Sequence, residues 1–240
     1  MNRALSLLLV LVAASGWAEV KIANPGLADH ETLTYIETIG KNSHPYAVTL
    51  TLTGEGSLSR YEYRSVGPDL VSVYRLDPVT LISLSSETLT RAADATVKRT
   101  ATYEDLKPKA ESSDLVITDM GSLPVVLRGF PWGQVNAAKL IYLGNLNFGG
   151  GGFSVELRVT GQETVTAAGR SWVCWHATTG LGGALSLVMA KTDWWFAAEG
   201  THPLVKTSGP IGGPGSPVRT LVLQSDQVTA DSGSTTRPPR

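Results

Sequence analysis

Cysteine is almost missing from this chain. Cys174 is the only one in 240 residues, so no internal disulfide can form, and stability must come from a core and a backbone ladder. No CxxC or HxxxH spacing occurs, and His30, His44, His176 and His202 are scattered, which excludes the common metal-site patterns. No GxSxG motif is present to mark a serine nucleophile. Glu104 and Asp105 are adjacent and would point to opposite faces of a strand, and Asp114 with Asp119 defines no acid/base site. The glycine run Gly149 to Gly152 lacks the Lys-Ser/Thr that completes a phosphate loop and reads as a plain loop. Charge is sparse, at 17% of residues, with a formal balance of −1 and no basic block. That argues against nucleic acid as a partner and against electrostatic docking to anionic lipid.

Long apolar runs are missing too, with one exception. Leu5 to Ala14 is apolar apart from Ser6, follows the positive Arg3, and leads to Ser15-Gly16-Trp17-Ala18. Small residues then stand three before and one before a cut after Ala18. This is the pattern of a Sec-type signal peptide over residues 1–18, and the run is too short for a spanning helix. Export to the bacterial periplasm or beyond is the expectation. No transmembrane segment would remain after cleavage, and nucleotide cofactors would be out of reach. Removal leaves 222 residues with a formal charge of −2, enough for one full core or two fused half-cores.

Strand signals fill the remainder. Tyr46, Val48, Leu50 and Leu52 alternate with Ala47, Thr49, Thr51 and Thr53. Phe153, Val155, Leu157 and Val159 alternate with Ser154, Glu156, Arg158 and Thr160. Both show the period of two of a strand with one wet face. Further candidates in the first half run over 30–39, 57–66, 70–76, 80–87, 96–103 and 115–118. In the second half they run over 138–143, 171–178, 185–196, 203–206 and 219–224. Gly54, Gly67-Pro68-Asp69, Asp77-Pro78, Gly161, Ala168-Gly169 and Gly200 punctuate them. The predicted fold class is mainly β: an antiparallel sheet, curled or closed into a barrel, with one short central helical element. That element is Ser122 to Phe130, with Ser122 as its cap, Pro124 in its first turn and Pro131 as its stop. One exported domain over 19–226 is expected, with possible halves 19–120 and 134–226. Ser208 to Pro217 reads as a loop, and residues 227–240 as a disordered tail.

The stretch Gly161-Gln162-Glu163-Thr164-Val165-Thr166-Ala167-Ala168-Gly169-Arg170-Ser171-Trp172-Val173-Cys174-Trp175 resembles the hallmark of a family of exported bacterial proteins, domain of unknown function 3108. The later segments Lys191 to Phe196 and His202 to Lys206 resemble that family's following strands. The resemblance covers roughly residues 31–226 and is strongest over 161–206. It implies an antiparallel β fold akin to the open barrels that carry lipids or lipoproteins across the periplasm, and it brings no catalytic residues. The residues support the hallmark independently. Ala168-Gly169 suits a hairpin turn between Glu163–Val165 and Ser171–Trp175. That hairpin puts Trp172 and Cys174 on one face and Val173 and Trp175 on the other, both covered.

Cys174 and His176 share a strand face. Such a pair can support covalent catalysis, but catalytic partners usually meet across elements, and a buried packing thiol is expected. Five of the six tryptophans, Trp132, Trp172, Trp175, Trp194 and Trp195, fall in the second half. Consecutive Trp194 and Trp195 must aim at opposite faces. Core packing explains large aromatics; so does an aromatic-lined site, for which Trp175, Trp194 and Trp195 are the candidates. The first functional expectation is a non-enzymatic envelope module that binds a lipid or acyl chain, with no cofactor, no metal and no catalytic residue. The second is a structural or adaptor protein that engages an envelope partner, and the third an atypical hydrolase.

Overall fold

Inward-facing Leu33, Tyr35, Val48, Leu50, Tyr61, Tyr63, Tyr74 and Leu76 are all buried, and the residues between them are wetter. This alternation is what a half-covered antiparallel sheet requires. The computed structural model describes residues 20–91, 95–103, 115–142, 153–181, 190–211 and 215–229. The segment read as a signal peptide, 1–18, the glycine run 149–152, Glu104, Asp105, Asp114 and residues 230–240 lie outside the described residues.

In chain order the strands are β1 (His30–Ile39), β2 (Asn42–Thr53), β3 (Arg60–Val66), β4 (Leu70–Leu76), β5 (Ser83–Arg91), β6 (Thr96–Thr102) and β7 (Leu115–Ile117). They continue with β8 (Ala137–Tyr142), β9 (Phe153–Ala167), β10 (Arg170–Leu181), β11 (Thr192–Ala197), β12 (Leu204–Pro210) and β13 (Val218–Thr229). All belong to one 13-stranded sheet of order β6-β5-β4-β3-β2-β1-β13-β12-β11-β10-β9-β8-β7. Two meanders thus meet where β1 pairs with β13, from Ile39↔Arg219 to His30↔Thr229. Every pairing is antiparallel except β7 with β8, which is parallel and was not foreseen.

A sheet of this width curls under its own twist. Its end strands, β6 and β7, are not joined by a ladder, so the sheet is curled and unclosed. Side chains clasp the two ends instead. Thr118 Oγ1 donates to Ser83 O at 2.6 Å, and Tyr103 Oη donates to Asp119 Oδ2 at 2.6 Å. Ser86 Oγ lies 2.9 Å from the same phenol oxygen.

Several boundaries differ from the sequence reading for local reasons. Asp77 Oδ1 accepts from Val79 N, Thr80 N and Thr80 Oγ1. That turn puts Leu81 at φ 58° and delays β5 to Ser83. Leu81 is held there because its side chain is fully buried. The strand expected from Ser57 starts at Arg60, after a 3₁₀ turn over Gly56–Leu58. β9 runs through Gly161, read as a turn, because Thr160 forms a bulge between Val159↔Ala177 and Gly161↔His176. Gly161 takes φ 138° there. Ser208 to Pro210, read as loop, belongs to β12, and β13 extends to Thr229, three residues into the expected tail.

The central element is shorter than a nine-residue helix. It is one α-helical turn, α1 (Leu123–Val126), between 3₁₀ turns at Met120–Ser122 and Leu127–Gly129. Ser122 stands at the N-cap position of α1 but makes no side-chain cap bond; Asp119 caps the 3₁₀ turn before it, where Oδ1 accepts from Gly121 N at 2.8 Å and Ser122 Oγ donates back to Asp119 O. Leu123, Leu127 and Phe130 pack with Trp132, Trp194 and Phe196, while Val125 packs with Leu33, Leu50 and Tyr74. The segment is a wedge between two clusters on the inside of the curl. No helix among the described residues is long and apolar enough to cross a membrane.

Candidate functional site

The inner faces of β1 to β4 and of β11 to β13, with the wedge, enclose a cavity of about 600 Å³. Its size falls in the usual range for small-molecule sites. Glu31, Leu33, Tyr35, Glu37 and Ile39, the alternate residues of β1, all line it. Eight residue steps of a strand span roughly 26 Å. The space is therefore a long slot parallel to β1, and its mean cross-section is narrow.

The sheet register explains how the wall is assembled. Trp194, Thr207, Leu221 and Glu37 stand side by side on β11, β12, β13 and β1, and all four face the cavity. On the other wing, Ser65 and Ser72 are cross-strand partners. Both are buried and both line the slot. Two small side chains beside the Tyr63–Tyr74 pair leave the space that a pair of leucines would fill.

The two ends are built differently. The segment from Val20 to Asp29 covers the end near Glu31. Ala23 N donates to Gly129 O, Asn24 N to Val79 O, Leu52 N to Asp29 O, and Tyr61 Oη to Leu27 O. The opposite end, at Ile39, Gly67-Pro68-Asp69-Leu70 and Pro210-Ile211, is the mouth, where Leu70 and Ile211 are exposed.

Each end holds one ion pair. Arg128 binds both carboxylate oxygens of Glu31, and its Nε and Nη2 donate to Thr201 O and Oγ1. Arg219 pairs with Glu37 and lies over the Tyr46 ring at 5.0 Å. Burial works against the Arg219 charge, but Tyr46 and Glu37 outweigh it and hold the guanidinium protonated more firmly than usual. Burial also pushes the phenols of Tyr35 and Tyr63 far up, and that of Tyr74 to about 12. These tyrosines meet a ligand as neutral aromatic surfaces. With each cation matched by an anion, the wall between the two pairs is chiefly apolar.

Of the three tryptophans singled out as candidates, only Trp194 lines the slot. Its indole N–H donates to Thr179 Oγ1 at 2.8 Å. Trp175 stacks on Trp132 with ring centroids 6.5 Å apart. Trp195 lies on the opposite face of β11 from Trp194, as consecutive strand residues must. There it stacks on His176 at 4.6 Å, takes Lys206 over its ring at 4.5 Å, and donates its N–H to Glu163 Oε2 at 3.1 Å. Trp172 and Cys174 do share a face. Val173, however, is exposed, so that side of β10 is covered only from Trp175 onward.

The Glu163–His176–Asp193 cluster was not anticipated from the sequence. His176 Nδ1 lies 2.5 Å from Glu163 Oε1 and Nε2 lies 2.9 Å from Asp193 Oδ1. Thr160 Oγ1 is 2.8 Å from Nδ1. Both ring nitrogens face carboxylates, one ring face is covered by Trp195, and His176 does not line the cavity. Cys174 is fully buried, and burial, with the Glu163 charge, raises its thiol to about 11. Among the described residues, no group of three or more His, Cys, Asp or Glu could hold a metal ion. The sequence offered no spacing signal for the His176 cluster or for the slot, because both are made by registers between strands distant in the chain.

No protein-family model matches this chain, and no curated protein matches it. Solved structures similar to it include a β-barrel-like protein of domain of unknown function DUF1849 from Brucella abortus. It is 9% identical with a TM-score of 0.46, and the match covers 88% of this chain and 99% of that one. A protein of the DUF1329 family from Desulfovibrio piger is 8% identical with a TM-score of 0.32, with 87% of this chain and 88% of that one covered.

Proposed function

We propose that this chain is an exported, non-enzymatic binding module of the cell envelope whose slot takes the acyl chain of a lipid or fatty acid. Membership in domain of unknown function 3108 and residence in the periplasm belong to the same proposal. One observation carries it: a narrow cavity, closed at one end, runs along the whole of β1 between apolar walls. A globular metabolite would leave much of such a slot empty, whereas an extended chain fills it and removes apolar surface from water along its full length. The matched ion pairs leave the slot inward of Asp69, which is exposed at the mouth, without surplus charge, so a neutral hydrocarbon is the part of the ligand best suited to it.

The test is native mass spectrometry of the protein purified from the periplasm, followed by organic extraction. Added mass that disappears on extraction and reappears as an acyl compound is expected. Ser65→Phe fills the slot beside Ser72 and should remove that mass while the protein stays folded. A wild-type protein that carries nothing and binds no fatty acid when offered one would turn the reading toward a structural or adaptor role.

A further inference from the structure

Val66, Leu70, Ile211 and Val218 gather at the mouth of the slot, 36%, 42%, 51% and 54% exposed. They stand at one end of the sheet: Pro210 pairs with Val218, Ile39 with Arg219 beside it, and Gly67 sits against Glu37 and Tyr46. Leu70 and Ile211 are on the cavity side of the mouth. Val66 follows buried Ser65 and therefore points to the outer side, as does Val218 before inward Arg219. A rim washed by water on its outer side would carry polar groups there. This one carries apolar side chains on both sides, with charged residues set around them.

Charge is uneven. Among the described residues, exposed Lys41, Arg91 and Lys191 stand at the turns of the mouth end together with one exposed acid, Asp69. At the opposite end, exposed Asp29, Glu55 and Glu199 stand against Lys21 and Arg170. The formal charge of the whole chain, −1, conceals this polarity.

We infer that the lip at the mouth of the slot is a docking surface for an anionic lipid layer, with its apolar side chains inserted and Lys41, Arg91 and Lys191 against the headgroups. Apolar area and cation–headgroup attraction are the two contributions that hold a protein at such a surface. The inference rests on the proposed function only for what passes through the mouth; docking itself does not require it.

The test is flotation of the chain, residues 19–240, with vesicles of phosphatidylglycerol and phosphatidylcholine, and with vesicles of phosphatidylcholine alone. Binding should be stronger to the anionic vesicles. Neutralising Lys41, Arg91 and Lys191 to Gln together should weaken it roughly tenfold or more there and little on the neutral vesicles. The double variant Val66→Glu/Val218→Glu, neither position lining the slot, should lose docking several-fold. The control Leu58→Glu/Val79→Glu alters two side chains at the opposite end that are more exposed, at 75% and 69%, and should dock like the wild type. No flotation of the wild type with either vesicle, or equal loss in the control, overturns the inference. Binding of palmitate in free solution is measured on the same proteins. Docking in the expected pattern without palmitate binding would defeat the proposed function and leave this inference standing. Palmitate binding without docking would do the reverse.

Discussion

Glu31 and Arg128 meet as a two-point ion pair at the closed end of the slot, with side-chain exposures of 5% and 3%, although 97 residues separate them in the chain. The pair ties β1 to the central wedge, and Arg128 also binds Thr201 after β11. Removing one partner leaves the other charge buried and unmatched. Glu31→Gln is therefore expected to cost about 3–5 kcal/mol of unfolding free energy, measured by urea denaturation. Glu31→Leu combined with Arg128→Met should recover much of that loss, since apolar groups replace both ions.

The slot makes a prediction about light. Trp194 faces it, Trp175 is stacked on Trp132, and Trp195 is covered by His176 and Lys206. Titration with palmitate should shift and quench tryptophan emission in wild type, Trp175→Phe and Trp195→Phe, and the change should vanish in Trp194→Phe. The response should be similar at low and high salt, because an apolar contact owes little to screened charge. A lost signal in Trp195→Phe instead would place the ligand on the other face of β11.

The contrast between these tryptophans shows what can be read from residues alone. Opposite faces for Trp194 and Trp195 followed from the strand period, and the hairpin at Ala168-Gly169 from turn chemistry: the two residues take φ 50° and 69°, as a tight hairpin turn demands. Which face became the cavity did not follow, because β11 is buried on both sides from Trp194 to Ala197 and its pattern names no inside. Glu31 and Glu37 were equally hidden. A glutamate in a strand reads as a wet position, and only the arginines brought up by distant elements make it a buried one. Leu115–Ile117 announced a strand, but three residues carry no information about parallel or antiparallel pairing.

Stability at alkaline pH should report on the buried thiol. Cys174 is raised from 9.0 to about 11 in the folded chain. Between those values the unfolded chain loses the thiol proton while the folded chain keeps it, so the unfolded state binds fewer protons and stability falls as pH rises through that window. The buried phenols of Tyr35, Tyr63 and Tyr74 act with the same sign from their ordinary value of 10.0 upward, so they overlap the upper part of that window. Cys174→Ala should cost about 1–2 kcal/mol at neutral pH through lost packing, and should show a shallower decline between about pH 9 and pH 11. Urea melts across that range measure both. Ligand binding should be unaffected, since Cys174 does not line the slot.

The last prediction concerns the seam. The two ends of the sheet share no ladder, and among the described residues the bonds from Thr118 to Ser83 O and from Tyr103 to Asp119 clasp them. Each is a short bond at a buried or half-buried site, and a hydrogen bond of this kind contributes about 1 kcal/mol, or about twice that when one partner is charged. Tyr103→Phe leaves Asp119 without its phenol donor, and Thr118→Val removes the hydroxyl donor from Ser83 O. Each change should lower global stability by about 1–3 kcal/mol. A merely local role would stop there. A closing role predicts more: amide exchange in β5 and β7 should accelerate by a larger factor than exchange in β1 and β13, which lie at the middle of the sheet and are held on both sides by full ladders. Combining the two substitutions should then give less than the sum of their separate costs, because a seam already opened by one loses little from the other. Uniform acceleration across the sheet with strictly additive costs would show that curvature alone, and not the clasp, keeps the ends together.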